Sequence, residues 1–336
     1  MDKRQVALQQ WCTAQANSLR LDLGTDWRLR PLCGDASYRR YFRLEAGCQS
    51  WILMDAPTEQ GDSFSFVAIA NSWKSLDIIL PEVLAVDLHQ GFLLLSDLGD
   101  KLYLSQLNDS NADRLYRQAI DTLIRIQGCQ GISEYSLPNY DRAFIERELA
   151  IFSEWFVDQL LGLTLTAAEQ QCFTEVSERL VASALAQPRV CMHRDYHSRN
   201  LMVTEGDSPG VLDFQDAVWG PVSYDLVSLL RDCYIQWPAD KVAGWIEYYL
   251  QQANRTGRLS TAYNQQFHDW FDLMGMQRHL KAVGIFARLK SRDDKAGYLA
   301  DIPRTLAYIL DVCQRQDGFD DFAALLNDRI LPAMKV

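Results

Sequence analysis

VCMHRDYHSRNLMVTEGDSPGVLDFQD, at residues 190–216, is the most informative stretch of this 336-residue sequence. Within it, Asn200 follows Asp195 by five residues, and Asp213 follows Asn200 by thirteen. Between the last two, residues 201–212 contain two short apolar runs separated by Asp-Ser-Pro-Gly, which is typical of a β-hairpin with a tight turn. Such a hairpin would carry Asn200 and Asp213 to the same end of two adjacent strands, where both could reach one ion.

These three polar residues suit the transfer of a phosphoryl group to an alcohol. The reaction needs a carboxylate that accepts the proton of the attacking hydroxyl, and Asp195 fits that role. It also needs hard oxygen ligands for Mg²⁺, which the amide of Asn200 and the carboxylate of Asp213 could supply. The alternative is that Asp195 caps a turn and Asp213 ends a strand, without catalysis. Three anchors at matching spacings with a hairpin between them favour the chemical interpretation.

The order of these residues resembles the kinase catalytic loop, H-R-D-x-x-x-x-N, followed by a D-F-G-type turn. His197 stands where protein kinases usually carry lysine, and H-x-D-x-H-x-x-N is similar to the aminoglycoside phosphotransferase superfamily, which phosphorylates small-molecule hydroxyls. The continuation DFQDAVWGPVSYDLVSLLRDCY, at 213–234, resembles the bacterial anomeric N-acetylmuramate/N-acetylglucosamine kinases of peptidoglycan recycling. As ordered motifs, the resemblance covers residues 34 to 304.

The resemblance implies an α+β, bilobal protein-kinase-like fold. Its small antiparallel-sheet N-lobe is expected at residues 1–97 and its large helical C-lobe at 98–336. The patterns in the sequence agree, since strand-like runs separated by turns begin near Trp27 and helical periodicity prevails after Ser110. Within the helical part, Thr-Ala-Ala-Glu at 166–169 is a capping box that predicts the start of a helix.

The nucleotide phosphates are expected beneath the turn that precedes the second strand. Ser37, Arg39 and Arg40 follow this turn and are candidate phosphate contacts. The lysine that normally pairs the phosphates is missing, because Met54 takes its place on the third strand. The helix predicted at 63–78 also lacks the glutamate partner of that lysine. One of the two arginines is therefore expected to supply the charge, although both could be plain surface residues.

The adenine is expected between an apolar ceiling and the hinge of the two lobes. Ile52 and Met54 alternate onto one face of the third strand and predict the ceiling. The hinge is predicted at 96–100, and the resemblance implies that the backbone of Asp97 and Leu98 hydrogen-bonds the adenine edge. ATP and Mg²⁺ are the expected cofactors.

Five further residues have expected roles around the reacting groups. His193 is expected to hold the catalytic loop by hydrogen bonds, and His197 either to brace it or to contact the substrate, with bracing favoured. Asp225 lies at a helix start, where a carboxylate suits the helix dipole, and in this superfamily the matching aspartate supports the loop. A lactyl carboxylate on the sugar would need a cation in the second lobe. Arg231 and Arg292 are the candidates, although Arg292 also belongs to an ordinary solvated charge run.

Composition sets the expected surroundings. The net charge of −11 argues against a general nucleic-acid or anionic-membrane binder. The N-terminal residues have no apolar segment of a signal peptide, and no apolar run approaches the roughly 18 residues of a membrane span. The eight cysteines show no C-x-x-C pair or zinc spacing, which fits reduced thiols in a cytoplasm.

The leading hypothesis is a kinase of the anomeric hydroxyl of N-acetylmuramate or N-acetylglucosamine. As the resemblance implies, a uridylyltransferase would take the sugar 1-phosphate. Two alternatives stay open. One is a kinase of an aminoglycoside or another small alcohol, although the sequence shows no dense carboxylate cluster for a cationic antibiotic. The other is a nucleotide-binding pseudokinase scaffold, which Met54 suggests and the intact Asp195, Asn200 and Asp213 disfavour.

Overall fold

The first lobe is an antiparallel sheet with two helices. The computed structural model describes residues 2–24, 26–32, 38–61 and 63–334. Five strands pair in the order β1-β2-β3-β5-β4, and every pairing is antiparallel. The elements of this lobe are α1 (Lys3–Leu19), β1 (Arg28–Leu32), β2 (Arg40–Ala46), β3 (Gln49–Asp55), α2 (Phe64–Lys74), β4 (Val83–Asp87) and β5 (Phe92–Ser96).

Strand alternation gives the sheet two different faces. Leu44, Trp51 and Leu53 point to one face, where α1 covers them with Leu8 and its neighbours. The residues between them, including Ile52 and Met54, point to the opposite face and join the core that continues into the second lobe. The sheet is therefore an apolar layer buried by a helix outside and by the rest of the molecule inside.

The second lobe is helical apart from two small sheets. Its strands are β6 (Arg189–Met192), β7 (Leu201–Met202), β8 (Gly210–Val211) and β9 (Val218–Pro221). Its helices are α3 (Tyr103–Gln106), α4 (Ala112–Gln127), α5 (Arg142–Ile151) with its π-helical continuation Phe152–Leu160, α6 (Ala167–Leu185), α7 (Tyr224–Leu230), α8 (Ala239–Arg255), α9 (Asn264–Asp293), α10 (Ile302–Arg315), α11 (Asp320–Leu325) and α12 (Leu331–Ala333). Short 3₁₀ or π segments occur at Thr261–Tyr263, Ala296–Asp301 and Leu326–Ile330.

Two local predictions are confirmed. β7 and β8 form the expected antiparallel hairpin, with Leu201 opposite Val211. The capping box is complete, because Glu169 N–H donates to Thr166 Oγ1 at 3.3 Å and Thr166 N–H donates to Glu169 Oε2 at 2.7 Å. The larger prediction, a small antiparallel-sheet lobe followed by a large helical lobe, is confirmed as well.

Helix α9 is the central element of the second lobe. Every residue from Trp270 to Leu280 is buried, so the helix has no solvent-facing stripe in this part. Its approach to α5 is close, since a Cβ at Gly284 would lie 2.5 Å from the carbonyl oxygen of Ile151. Only glycine permits this distance between the two backbones. No helix in the described part of the chain is both long and apolar enough to cross a membrane.

Candidate active site

The backbone of the catalytic loop is anchored by a buried carboxylate. Asp225, in the first turn of α7, accepts the N–H of His193 at 2.7 Å and the N–H of Arg194 at 2.9 Å. Burial raises the pKa of Asp225 to about 6. This value is still below neutral pH, so the carboxylate is ionised there and both oxygens can accept hydrogen bonds. These bonds hold Arg194 at φ 78°, a left-handed conformation that places Asp195 at the tip of the loop.

His193 connects the loop to the strand that precedes Asp213. Its Nδ1 accepts the N–H of Asp195 at 3.2 Å, so the ring proton lies on Nε2, which is 2.9 Å from the carbonyl oxygen of Leu212. Burial lowers the pKa of this imidazole, which keeps the ring neutral. Both ring nitrogens are thus occupied by backbone groups, an arrangement that fixes geometry and leaves neither of them for the substrate.

The hairpin brings Asn200 and Asp213 together. Asn200 Nδ2 donates to the carbonyl oxygen of Asp195 at 2.9 Å and lies 3.5 Å from Asp213 Oδ2. The amide oxygen is therefore the atom of Asn200 that could bind a metal. Asp213 has φ 59°, and Gln215 Nε2 donates to its Oδ1 at 2.7 Å. A hydrogen-bonded, left-handed aspartate directs its carboxylate away from the strand and toward the loop.

A bound cation would stabilise the neighbouring carboxylates of Asp195 and Asp213. Burial raises the pKa of Asp213 to about 6, and the negative charge of Asp195 acts in the same direction. Among the described residues, no cluster of three or more His, Cys, Asp and Glu side chains could hold a metal by itself. A site with one carboxylate, one amide oxygen and phosphate oxygens is the kind that Mg²⁺ uses in phosphoryl transfer. Asn200 and Asp213 fit that ion.

Phe214 joins the two lobes directly next to Asp213. Its ring lies 4.6 Å from that of Phe66 and 5.9 Å from that of Trp73, both on α2. Trp73 also lies 6.1 Å from the ring of His193. The first-lobe helix therefore packs on the same aromatic cluster that supports the loop, which couples the position of the sheet lobe to that of Asp213.

The Asp195 carboxylate is held in its ionised form by cations of the second lobe. Burial by itself would raise its pKa, but the electrostatic effects of Lys281, His197 and Arg194 outweigh burial, and Arg278 adds to them. The result is a pKa below the usual range for aspartate. At neutral pH this carboxylate is therefore a hydrogen-bond acceptor for an attacking hydroxyl.

Lys281 and Arg194 belong to a buried cluster around Glu148 on α5. Glu148 Oε1 accepts from Arg194 Nη2 and from Lys281 Nζ, each at 2.9 Å. Glu148 Oε2 accepts from the hydroxyl of Tyr140 at 2.6 Å and from Gln277 Nε2 at 3.2 Å. Sequence reasoning missed this cluster. The available signal was a helix of core residues interrupted by charged side chains, because charges in an otherwise apolar helix need buried partners.

Glu148→Gln is expected to lower the free energy of unfolding by about 3–5 kcal/mol, because it leaves the buried charges of Arg194 and Lys281 without their carboxylate. The measurement is urea denaturation of the purified variants. Glu146→Gln on the same helix is the matched control, since its partner Arg142 lies at the exposed surface and the loss should be small. Equal destabilisation by the two changes would contradict the structural importance of the cluster.

The two arginines beside the phosphate turn have different surroundings. Arg40 Nε lies 2.9 Å from Asp55 Oδ2 and Arg40 Nη1 lies 2.6 Å from Asp2 Oδ2, so this side chain belongs to an ion-pair cluster at α1. Arg39 stacks on Tyr38, with its guanidinium carbon 4.8 Å from the ring centre. Neighbouring residues of an extended segment point to opposite faces, so Arg39 is expected on the cleft side, which agrees with the lowering effect of its charge on the pKa of Asp213. Ser37 lies outside the described residues.

The predicted ceiling and hinge adjoin, because β3 pairs with β5 and places Ile52 opposite Leu95, two residues before Asp97. Met54 is fully buried and Ile52 partly buried on the inner face of the sheet. The carboxylate of Asp97 is held by Arg43, whose Nε lies 2.6 Å from Asp97 Oδ2. Leu98 follows and packs near Gly210 of β8, so that a Cβ there would lie 2.8 Å from Leu98 Cδ1. The sequence analysis did not identify Arg43, because its partner is 54 residues away.

The other predicted site residues, Arg231, Arg292 and His197, have partners within the protein. Arg231 is buried with Nη2 2.6 Å from Asp272 Oδ1, and Arg292 is exposed with Nε 2.9 Å from its neighbour Asp293 Oδ1. Both arginines thus pair with a carboxylate of the protein. The second-lobe cations that act on Asp195 are instead Lys281, Arg194 and Arg278. His197 meets the ring of Tyr234 edge-on at 5.4 Å, and burial lowers its pKa to about 4.

A sheet lobe, a helical lobe and a loop carrying Asp195, Asn200 and Asp213 define a kinase-like phosphotransferase fold. The model of the family described as "Phosphotransferase enzyme family" matches residues 28–263, and the chain belongs to this family. It is 44% identical over 337 residues to an N-acetylmuramate/N-acetylglucosamine kinase of Pseudomonas putida, covering 98% of both chains. It is 38% identical over 334 residues to the protein of the same name in Neisseria meningitidis serogroup B, covering 98% of this chain and 96% of the relative.

Solved structures agree on the fold. The ADP-bound aminoglycoside phosphotransferase APH(2'')-Ib superposes with a TM-score of 0.56 at 14% identity, covering 89% of this chain and 97% of that one. An identity this low carries information about the fold and not about the substrate. The bilobal kinase-like architecture and the family resemblance predicted from the sequence are confirmed.

Proposed function

We propose that this protein is an ATP- and Mg²⁺-dependent kinase that phosphorylates the anomeric hydroxyl of N-acetylmuramate or N-acetylglucosamine. The observation that carries the proposal is the convergence of Asp195, Asn200 and Asp213, with Asn200 Nδ2 2.9 Å from the Asp195 carbonyl oxygen and 3.5 Å from Asp213 Oδ2. The similarity of nearly the whole chain to kinases of these sugars supports the choice of acceptor.

In the proposed reaction, Asp195 orients the anomeric hydroxyl and takes its proton as the oxygen attacks the γ-phosphorus. The bond from the γ-phosphorus to the β–γ bridging oxygen breaks, and ADP leaves. Asn200 and Asp213 would hold Mg²⁺, which when bound neutralises charge on the phosphate oxygens. The loop is kept rigid by Asp225 and His193, so the protein contributes mainly positioning and charge, as phosphoryl transfer requires. The cations around Glu148 keep the Asp195 carboxylate ionised until the hydroxyl arrives.

The nucleotide would lie between two lobes that divide at residues 97 and 98. Ile52 and Met54 would cover the adenine, and the backbone of Asp97 and Leu98 would bind its edge. The ion pair of Arg43 with Asp97 and its hydrogen bond to the carbonyl oxygen of Gly99 support this placement, because they hold the hinge in one conformation. We further propose a cytoplasmic role in peptidoglycan recycling, in which a uridylyltransferase takes the sugar 1-phosphate.

A panel of acceptors incubated with ATP and Mg²⁺, followed by phosphorus NMR, tests the proposed function. The expected product is a sugar 1-phosphate whose phosphorus couples to the anomeric proton. Phosphorylation of an aminoglycoside or a simple alcohol in place of the amino sugars would favour the alternative kinase. ATP binding without any transfer to the panel would favour the pseudokinase scaffold.

Arg39→Ala is expected to raise the KM for ATP or to lower turnover at least tenfold, because it removes the cation on the cleft side that compensates for Met54. Tenfold corresponds to about 1.4 kcal/mol, a modest value for a charge-assisted contact to phosphate. Steady-state kinetics with varied ATP measure it. Arg40→Ala is the control, since Asp55 keeps its contact with Arg4 at 2.6 Å and ATP kinetics should change little. If neither substitution alters the kinetics, the charge comes from another residue or from the metal alone.

A further inference from the structure

Arg278 on α9 is a buried arginine that has one weak hydrogen-bond partner among the residues that the structure describes. Its side chain is 6% exposed, and Nη1 contacts the Sγ atom of Cys233 at 3.7 Å. Within the described ranges, no carboxylate oxygen lies within the 4.0 Å that defines an ion pair with this guanidinium. Buried arginines are normally paired, since an unpaired buried charge is costly. This guanidinium therefore has unused capacity for an anion.

The position of Arg278 is next to the reacting groups. It follows Gln277, which donates to Glu148 at 3.2 Å, and it lies one helical turn before Lys281. Its contact Cys233 follows Asp232, whose carboxylate accepts the N–H of Ser198 at 2.9 Å, so the guanidinium lies at the second-lobe side of the loop that carries Asp195. An acceptor whose hydroxyl meets Asp195 would therefore have a buried guanidinium close to its other substituents.

A group of three aromatic side chains begins next to Cys233. We call Tyr234, Phe286 and Tyr298 the aromatic platform. Tyr234 follows Cys233, the contact of Arg278. Arg199, from the catalytic loop, stacks on the platform with its guanidinium carbon 4.7 Å from the ring centre of Tyr234 and 5.4 Å from that of Tyr298. Phe286 and Tyr298 are stacked at 5.7 Å with an interplanar angle of 17°. Aromatic faces with a few placed charges are typical of small-molecule sites.

We infer that Arg278 is the anion subsite of the acceptor pocket and binds the carboxylate of the 3-O-lactyl group of N-acetylmuramate, with the aromatic platform beside the sugar ring. The inference rests on the proposed function. N-acetylglucosamine carries a hydroxyl where the lactyl ether is attached, so it lacks this charge-assisted contact. A guanidinium binds a carboxylate through two parallel hydrogen bonds, and a partner inside the protein would compete with the substrate. Arg278 would accordingly determine the preference between the two sugars.

The test compares kcat/KM for both sugars in the wild type and in Arg278→Met. The ratio of N-acetylmuramate to N-acetylglucosamine is expected to fall at least tenfold, mostly through the KM for N-acetylmuramate, while N-acetylglucosamine remains a substrate. Arg278→Lys keeps the charge but loses the two parallel hydrogen bonds of a guanidinium. Its ratio should lie between that of the wild type and that of Arg278→Met. Arg231→Met is the matched control, because it removes a buried arginine whose partner is Asp272, and the ratio should not change.

A chemical change to the substrate provides an independent test. Converting the lactyl carboxylate to its amide should weaken the wild-type enzyme and leave Arg278→Met nearly unaffected, since the two changes remove the same contact. Equal loss for both sugars in Arg278→Met, or an unchanged ratio, would overturn the inference and assign Arg278 to supporting Asp195 or the fold. A wild type that accepts N-acetylglucosamine but not N-acetylmuramate overturns the inference and leaves the proposed kinase. A wild type that accepts neither sugar contradicts the proposed function itself.

Discussion

Asp195→Asn is expected to lower turnover by roughly 10²–10⁴-fold, the value of a general base, while ATP affinity stays nearly unchanged. The amide has the shape of the carboxylate, and it can still approach the sugar hydroxyl. It cannot accept the proton, and it no longer balances the charges of Lys281 and Arg194 that surround this position. The measurement is kcat at saturating ATP and sugar, together with ATP binding by calorimetry.

The control for this substitution is Asp207→Asn in the turn between β7 and β8. Asp207 is exposed and its recorded contact, Gln118 Nε2 at 3.4 Å, is weak. Turnover should therefore match the wild type. If Asp195→Asn keeps turnover within about threefold of the wild type, far less than a general base contributes, another group accepts the proton and the assignment of Asp195 is wrong.

Asp213→Asn is expected to remove most of the Mg²⁺ dependence of nucleotide binding and to lower turnover on the order of 10²-fold. Changes in groups that merely orient metal ligands cost 10–100-fold, so loss of a charged ligand should cost at least as much. Without Mg²⁺, nucleotide affinity should stay equal or rise. The reason is that the substitution removes a negative charge beside Asp195, whose repulsion contributes to the raised pKa of Asp213.

Nucleotide titrations with and without Mg²⁺ separate these effects. A loss confined to the titration with Mg²⁺ assigns Asp213 to the metal. Equal losses in both titrations would indicate a damaged fold, and unchanged affinity in both would show that Asp213 is not the ligand. Asp216→Asn is a close comparison, because Asp216 shares Gln215 Nε2 with Asp213 at the longer distance of 3.3 Å. Its Mg²⁺ dependence should remain.

The sequence by itself determined the features that depend on neighbouring residues. The hairpin β7–β8 follows from two short apolar runs and a turn of four residues, and it explains why Asn200 and Asp213 meet. The capping box is equally local, since its two partners are three residues apart. The two-lobe order follows from a change in periodicity along the chain, from strand alternation to helical spacing. In the hairpin and the capping box, the interacting residues belong to one short continuous stretch of the chain.

Only the tertiary structure decided which charged side chains serve the site. Arg39 and Arg40 are adjacent in the sequence, and the choice between them depends on Asp2 and Asp55, which pair with Arg40 beside the start of α1. Arg231 and Arg278 are both arginines of the helical lobe, and one of them faces Asp272 because α7 packs against α9. The Coulomb energy of two charged groups depends on the distance between them and on their burial. The spacing of residues along the chain determines neither quantity. The charges that act on Asp195 therefore became identifiable only when the helices that carry them were placed.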